Sequence, residues 1–292
     1  GNERAPLVVK GGIKGQEVSI DGTISSQFIS ALLIICPLAE NSTTLSIKGQ
    51  LKSRPYIDIT LEMLELAGAK IHTDESNGIR FIIPGKQKYD LKDYIVPGDF
   101  SSASYLLAAA AMVGESEVTV KNLFPSRQGD EVIIETLRQM GADIVWDKEA
   151  GNVTVRGGRK LKAITFDAGA TPDLVPTIAV LAAVAEGTSR IENAEHVRYK
   201  ETDRLRALAT ELPKLGVDLK EERDSLTITG GKLKGAQVHG WDDHRIVMAL
   251  TLAGMVAGNT TIDTTESVSI SYPDFFKDMR GLGARIKDIS EE

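Results

Sequence analysis

The chain has 292 residues, 42% of them hydrophobic and 26% charged, with a formal net charge of −7. That length suits two domains of ordinary size, and the acidic balance excludes a broad nucleic-acid-binding face. No apolar run approaches the ~20 residues of a membrane span, no signal-peptide core opens the chain, and one cysteine excludes an internal disulfide, so we expect a cytoplasmic protein without nucleic-acid or membrane partners.

In chain order, a leading strand is expected at Leu7-Val8-Val9-Lys10, behind a Gly1 start that suggests a cut or an engineered end. The turn at Asp21 then runs into an apolar helix to Ile34, and Thr23-Ile24-Ser25-Ser26-Gln27 lies at that junction. Hydroxyls and free N–H groups at a helix start suit a phosphate monoester, and the same serines suit a plain N-cap. Cys36, beside the run Ala31–Ile35, reads as a core residue. A short strand follows at Thr44–Ile47, then Lys52-Ser53-Arg54-Pro55-Tyr56, again a hydroxyl and cations at a helix start or a basic surface turn.

Two motifs then repeat in phase. A helix-end glycine running into a strand occurs at Leu64–Ile71, Leu137–Ile144, Leu212–Leu219 and Met279–Ile286, around Gly68, Gly141, Gly216 and Gly283. A turn bearing an aspartate, followed by a helix of small apolar residues, occurs at Asp21–Ile34, Asp99–Met112, Asp173–Val184 and Asp243–Ala253. After these helices come short strands such as Val118–Val120 and Thr260–Ile262. Each unit of roughly 70 residues reads strand–helix–strand–helix–strand–strand, its first helix buried nearly all round and its second amphipathic. The fold class is therefore α/β, with four copies of a βαβαββ unit. The turn Val96-Pro97-Gly98 divides the chain into 1–96, with one unit, and 97–292, with three. One unit alone cannot cover its inner helix, which suggests a missing preceding segment of about 140 residues.

In the third unit, Thr171-Pro172-Asp173 places a carboxylate beside an apolar helix, where desolvation would make it a better base; an N-cap aspartate is the plainer alternative. Tyr199-Lys200-Glu201-Thr202-Asp203-Arg204 gathers cations and carboxylates before a helix marked by Leu205, Leu208, Leu212 and Leu215. Thr202 or Asp203 can cap it, and the cluster can hold an anion and move a proton, or form surface ion pairs. Pro213 should kink this helix or cost it about 3 kcal/mol. In the fourth unit, Asp242-Asp243-His244-Arg245 offers a guanidinium for a carboxylate or phosphate. No spacing resembles a zinc site, and the glycines form neither GxGxxG nor a Walker loop, so neither metal nor nucleotide cofactor is expected.

Ser25-Ser26-Gln27-Phe28, Lys52-Ser53-Arg54-Pro55-Tyr56, Gly98-Asp99-Phe100-Ser101-Ser102-Ala103, Pro172-Asp173, Lys200–Arg204 and Asp243-His244-Arg245, with Tyr272-Pro273-Asp274-Phe275-Phe276 as a closing segment, stand in the order of the 5-enolpyruvylshikimate-3-phosphate (EPSP) synthase family, which the chain resembles over essentially its whole length. The resemblance implies two inside-out α/β barrel globules, each of three βαβαββ units about a pseudo-threefold axis, with the family's first third absent here. Residues 1–96 would then be what remains of the substrate-binding lobe, and 97–292 the lobe carrying most of the phosphoenolpyruvate site.

The family, a glyphosate target in aromatic amino-acid synthesis, transfers the enolpyruvyl group of phosphoenolpyruvate to the 5-hydroxyl of shikimate 3-phosphate and releases phosphate. Carried over by motif, Ser25, Ser26 and Ser53 would bind the 3-phosphate, with Gln27, Tyr56, Asp173, His196 and Lys200 lining the shikimate site. Gln27, Arg204, His244 and Arg245 would hold phosphoenolpyruvate. Asp173, Lys200 and Glu201 would be catalytic, Asp173 accepting the hydroxyl proton and Glu201 serving the methylene carbon. His196 stands where some members have Asn, and Ile270 where some have Lys. A related UDP-N-acetylglucosamine enolpyruvyl transferase and a non-catalytic fragment that binds shikimate 3-phosphate, or the missing N-terminal segment, are the alternatives.

Overall fold

The computed structural model describes Pro6 and residues 8–289. The chain divides into two compact units, Gly1–Ile95 and Val96–Glu292. In the first, β1 (Glu17–Asp21), α1 (Ser26–Ile35), β2 (Thr43–Lys48), α2 (Arg54–Leu66), β3 (His72–Asp74) and β4 (Arg80–Ile83) make one complete repeat. Its sheet has the order β1-β2-β4-β3, with β1 and β2 parallel and the other pairs antiparallel.

The second unit repeats that plan three times, with omissions. Its first copy holds α3 (Phe100–Met112), β5 (Glu117–Val120), α4 (Val132–Gln139), β6 (Asp143–Asp147) and β7 (Asn152–Arg156). Its second is complete: β8 (Thr165–Asp167), α5 (Val175–Val184), β9 (Thr188–Glu192), α6 (Arg204–Glu211), β10 (Asp218–Glu221) and β11 (Leu226–Thr229). The third holds β12 (Gln237–Val238), α7 (His244–Ala257), β13 (Thr261–Ile262) and α8 (Phe275–Gly281). The order β10-β11-β9-β8 reproduces the first unit's sheet strand for strand, and β5-β7-β6 reproduces it without the opening strand.

The turn chemistry explains the periodicity. Gly68, Gly141, Gly216 and Gly283 all lie in the left-handed region, and each donates its N–H three residues back. The next residue donates five back (Ala69 to Leu64, Ala142 to Leu137, Val217 to Leu212, Ala284 to Met279), which closes each helix in the same way. Asp99 and Asp243 cap α3 and α7 by accepting from the first backbone N–H groups. The inner helices α3, α5 and α7 pack against one another, and α5 is buried from Val175 to Ala183. The outer helices are amphipathic. Cys36 is buried, as its apolar setting predicts.

Alone in its unit, α1 is only partly covered. Ile29 and Leu33 are fully buried, but Phe28, Ile34 and Ile35 remain 55%, 50% and 42% exposed. The expectation of an inner helix buried all round holds where companions exist and fails where they do not.

Four local expectations need correction. Val8–Lys10 form no strand, since among the described residues nothing lies beside them to pair with, and Leu7 lies outside the described residues. The unit pattern expects an opening strand in the second repeat and none forms; Val96–Gly98, read as a turn, is irregular backbone there, and Gly98 N–H donates to the Asn122 carbonyl at 2.7 Å. Residues 284–289 continue from Gly283 without a strand, although Ala284 and Ile286 pack against the core. Pro213 does not kink α6. The α-helix ends at Glu211 and the chain tightens into a 3-10 turn, Leu212–Leu215, at whose start a missing N–H costs nothing. No helix among the described residues is long and apolar enough to cross a membrane.

Candidate functional site

Parallel pairing of β8 with β9 sends both following junctions to the same sheet edge. After β8, Pro172 opens a 3-10 turn, Pro172–Leu174, that carries Asp173. After β9, the turn Glu195–Tyr199 leads through irregular residues to Asp203, whose carboxylate accepts from Arg206 N–H and caps α6. Arg204 is therefore the first residue of a helix whose Leu205 and Leu208 are wholly buried, as are Leu212 and Leu215 in the 3-10 turn that follows. The third junction, before α7, supplies Asp243, His244 and Arg245.

These three junctions converge on Arg204, whose side chain is 1% exposed. Its Nε donates to Asp243 Oδ2 at 2.7 Å and its Nη1 to Asp173 Oδ1 at 2.9 Å. Its Nη2 donates to Glu201 Oε2 at 2.5 Å and to Asp243 Oδ1 at 3.3 Å. The other Asp173 oxygen accepts from Arg245 Nη2 at 3.1 Å, and Lys200 Nζ lies 3.5 Å from Oδ1. A buried charge persists only when paired, and Asp173, Glu201 and Asp243 balance Lys200, Arg204 and Arg245 one for one.

The electrostatics overturn one expectation. Burial does push the Asp173 carboxyl upward, but Arg245, Arg204 and Lys200 together outweigh it and hold the group far below the ordinary carboxylate range. Asp173 is a stabilised anion here, not a strengthened base, and it caps no helix. Burial and the neighbouring Arg245 push His244 downward, so its imidazole is neutral at pH 7. His244 Nδ1 is buried without a hydrogen-bond partner among the described residues. His196 is buried in the turn that leads to Lys200. Tyr105, from α3, brings its hydroxyl to 3.5 Å from the Arg245 carbonyl, and burial raises its pKa to about 12 against the pull of Arg245 and Arg204.

The first unit has the same geometry in miniature. Parallel pairing of β1 with β2 puts the starts of α1 and α2 side by side: Gly22 N–H donates to the Lys48 carbonyl at 2.9 Å, and Lys52 N–H to the Gly22 carbonyl at 3.1 Å. Ser25 caps α1 by accepting from Gln27 N–H at 3.2 Å, Ser26 is buried, and the Gln27 side chain is exposed. Ser53 begins α2 in the left-handed region (φ 53°) without capping it, and Tyr56 is half-buried one turn on. Arg54 is occupied by Asp58 at 2.8 Å and Glu75 at 2.9 Å, and Lys52 is a second cation on that edge.

Sequence reasoning put Asp243 in a motif but gave it no role; its phase, equivalent to that of Asp173, was the available signal. Tyr105 carried none, since an aromatic in a buried helix reads as core.

The EPSP synthase (3-phosphoshikimate 1-carboxyvinyltransferase) family matches residues 1–279. The chain is 84% identical over 292 residues to a 3-phosphoshikimate 1-carboxyvinyltransferase of Methanosarcina acetivorans, covering all of this chain and 68% of that protein. It is 48% identical to one of Halobacterium salinarum, covering 97% and 67%. A solved EPSP synthase from Acinetobacter baumannii superposes with a TM-score of 0.79 at 27% identity, over 94% of this chain and 64% of that one. The chain thus spans about two thirds of the length of the proteins it matches.

Proposed function

The chain belongs to the EPSP synthase family, and from that premise we propose that it serves enolpyruvyl transfer, the strand-to-helix edge of the first unit taking shikimate 3-phosphate and that of the second taking phosphoenolpyruvate. The observation that carries this reading is Asp173 held by Lys200, Arg204 and Arg245, a carboxylate ringed by cations from two further junctions. Ser25, Ser26 and Ser53 take the 3-phosphate at the starts of α1 and α2, where free N–H groups and helix dipoles favour anions. Gln27, Tyr56 and His196 bound the shikimate ring.

Arg204 and Arg245 take phosphoenolpyruvate, with neutral His244 offering its unpartnered nitrogen. Binding of that anion shares out two of the three cations that stabilise the Asp173 carboxylate. Its basicity therefore rises once phosphoenolpyruvate is bound. Asp173, beside Lys200, then accepts the 5-hydroxyl proton as that oxygen bonds to C2 of phosphoenolpyruvate. Glu201, 43% exposed and tethered through Arg204, takes a proton from water as the substrate anions bind and gives it to the methylene carbon. Elimination breaks the C2–O bond to phosphate, which leaves with the proton that Asp173 had taken, and Glu201 recovers a proton from the methyl group.

The apolar face of α1 (Phe28, Ile34, Ile35) supports a seat for the part of the relatives' length that this chain does not span, and that part completes the cation set. We place it before Gly1, as an N-terminal third. Phosphate release in a coupled assay tests the reading. Turnover is expected when the relatives' additional segment is supplied and little without it. Calorimetric binding of UDP-N-acetylglucosamine in preference to shikimate 3-phosphate would overturn it.

A further inference from the structure

Among the described residues the mechanism leaves two buried carboxylates unused, Asp130 and Glu211, and it is Glu211 that shares a helix with Arg204. Glu211, the last residue of α6, is 1% exposed and lies seven residues beyond Arg204. It accepts from three donors: His239 N–H at 2.8 Å, Trp241 Nε1–H at 3.1 Å and Lys214 Nζ at 2.7 Å. The first two belong to the turn that delivers Asp243, His244 and Arg245. That turn is strained, for Trp241 (φ 59°) and Asp242 (φ 50°) both lie in the left-handed region that residues with a Cβ avoid. Such a conformation persists only when its surroundings over-determine it. Glu211 holds His239 and Trp241, the Asp263 carboxylate accepts from Gly240 N–H at 2.8 Å, and Thr264 Oγ1 accepts from Asp242 N–H at 3.2 Å.

We propose that Glu211 is a positioning residue for the phosphoenolpyruvate site, clamping the strained Gly240–Asp242 turn so that Asp243 meets Arg204 and Arg245 is aimed at the anion. Helix α6 thereby carries Arg204 at its first residue and, at its last, the anchor of the loop that orients the Arg204 partner. The assignment of the ligand rests on the functional reading above; the clamp itself does not.

Two measurements on the same samples keep them apart. The first is hydrogen exchange of the Arg204 side-chain Nε–H by NMR, against the backbone amides of α3 as an internal standard. The second is calorimetric titration of phosphoenolpyruvate in the presence of shikimate 3-phosphate. Glu211→Ala is expected to speed Arg204 Nε–H exchange about tenfold, leave α3 exchange within twofold and weaken phosphoenolpyruvate about tenfold, with Glu211→Gln, which can accept only one of the two turn bonds, in between. Arg204 exchange unchanged in folded Glu211→Ala overturns the proposal. Should that variant not fold, Trp241→Phe, which removes one clamp bond and keeps the ring, decides it: about threefold faster Arg204 exchange supports the clamp, and no change overturns it. Absence of phosphoenolpyruvate binding in the unmodified protein would count against the functional reading alone.

Discussion

Asp173 concentrates the conflict between stability and chemistry at the scale of one residue. Paired with two guanidinium groups and Lys200, it stabilises the empty site and is a poor proton acceptor there. Asp173→Asn removes the base and is expected to lower turnover by about 10²–10⁴-fold while anion binding at Arg204 and Arg245 persists or tightens, measurable by phosphate titration. The same change should destabilise the fold by about 3 kcal/mol, since two buried guanidinium groups lose their shared counter-charge. Its pH dependence has a definite sign. The carboxyl pKa is depressed on folding, so its stabilisation is complete above the unfolded value near 3.9 and is lost as pH falls through the lower folded value. Denaturant midpoints of the two proteins should therefore differ by a constant amount from about pH 8 to about pH 5 and approach each other only in stronger acid. Ser53 separates the two roles in the opposite way. Ser53→Gly relieves a left-handed φ of 53°, so we expect a thermal midpoint unchanged or slightly raised, with shikimate 3-phosphate bound about tenfold more weakly through loss of the hydroxyl.

Elements were legible where their signals are local. The four glycines and the capping aspartates Asp99 and Asp243 act within five residues of themselves, so the repeat, its phase and the starts of α3 and α7 could be read directly. Strands were read less well because pairing depends on a partner distant in sequence: Val8–Lys10 and the residues after Gly283 were read as strands and form none. For the same reason the site was legible as a roster and not as an electrostatic balance. Asp173 and Arg245 are 72 residues apart, and nothing local announces that three cations outweigh the desolvation of one carboxylate. Glu211 was invisible, one more acid on the charged face of an amphipathic helix. Two glycines test how local the turn signal is. Gly141 has φ 88° and open space for a Cβ, with no atom closer than Lys160 O at 3.8 Å, so Gly141→Ala should cost only its backbone strain, about 1 kcal/mol. At Gly157 a Cβ would fall 1.9 Å from the Val113 carbonyl oxygen, and Gly157→Ala should cost several times more in urea melts, because the end of α3 must move.

At the scale of the whole molecule, the two units solve the same packing problem with unequal means. Three repeats let α3, α5 and α7 cover one another, whereas α1 has the same composition and no companions. Ile34 and Ile35 each leave about half their surface in water, and burying such a side chain fully contributes about 2 kcal/mol. A glutamate at Ile34 therefore removes little that holds the chain itself together, and Ile34→Glu should shift the chain's own thermal midpoint by no more than about 0.5 kcal/mol in equivalent stability. The same charge placed in the middle of a helix–helix contact would be buried unpaired, at a cost of several kcal/mol. If α1 is the seat of the relatives' additional segment, Ile34→Glu should abolish association with that segment and the turnover it confers, while shikimate 3-phosphate binding at the start of α1 falls by less than threefold. Mixing the two polypeptides and following their elution and phosphate release separates the outcomes: a variant that still assembles and turns over would show that this face is covered by nothing, and that the exposed isoleucines are only the cost of a repeat folded without its neighbours.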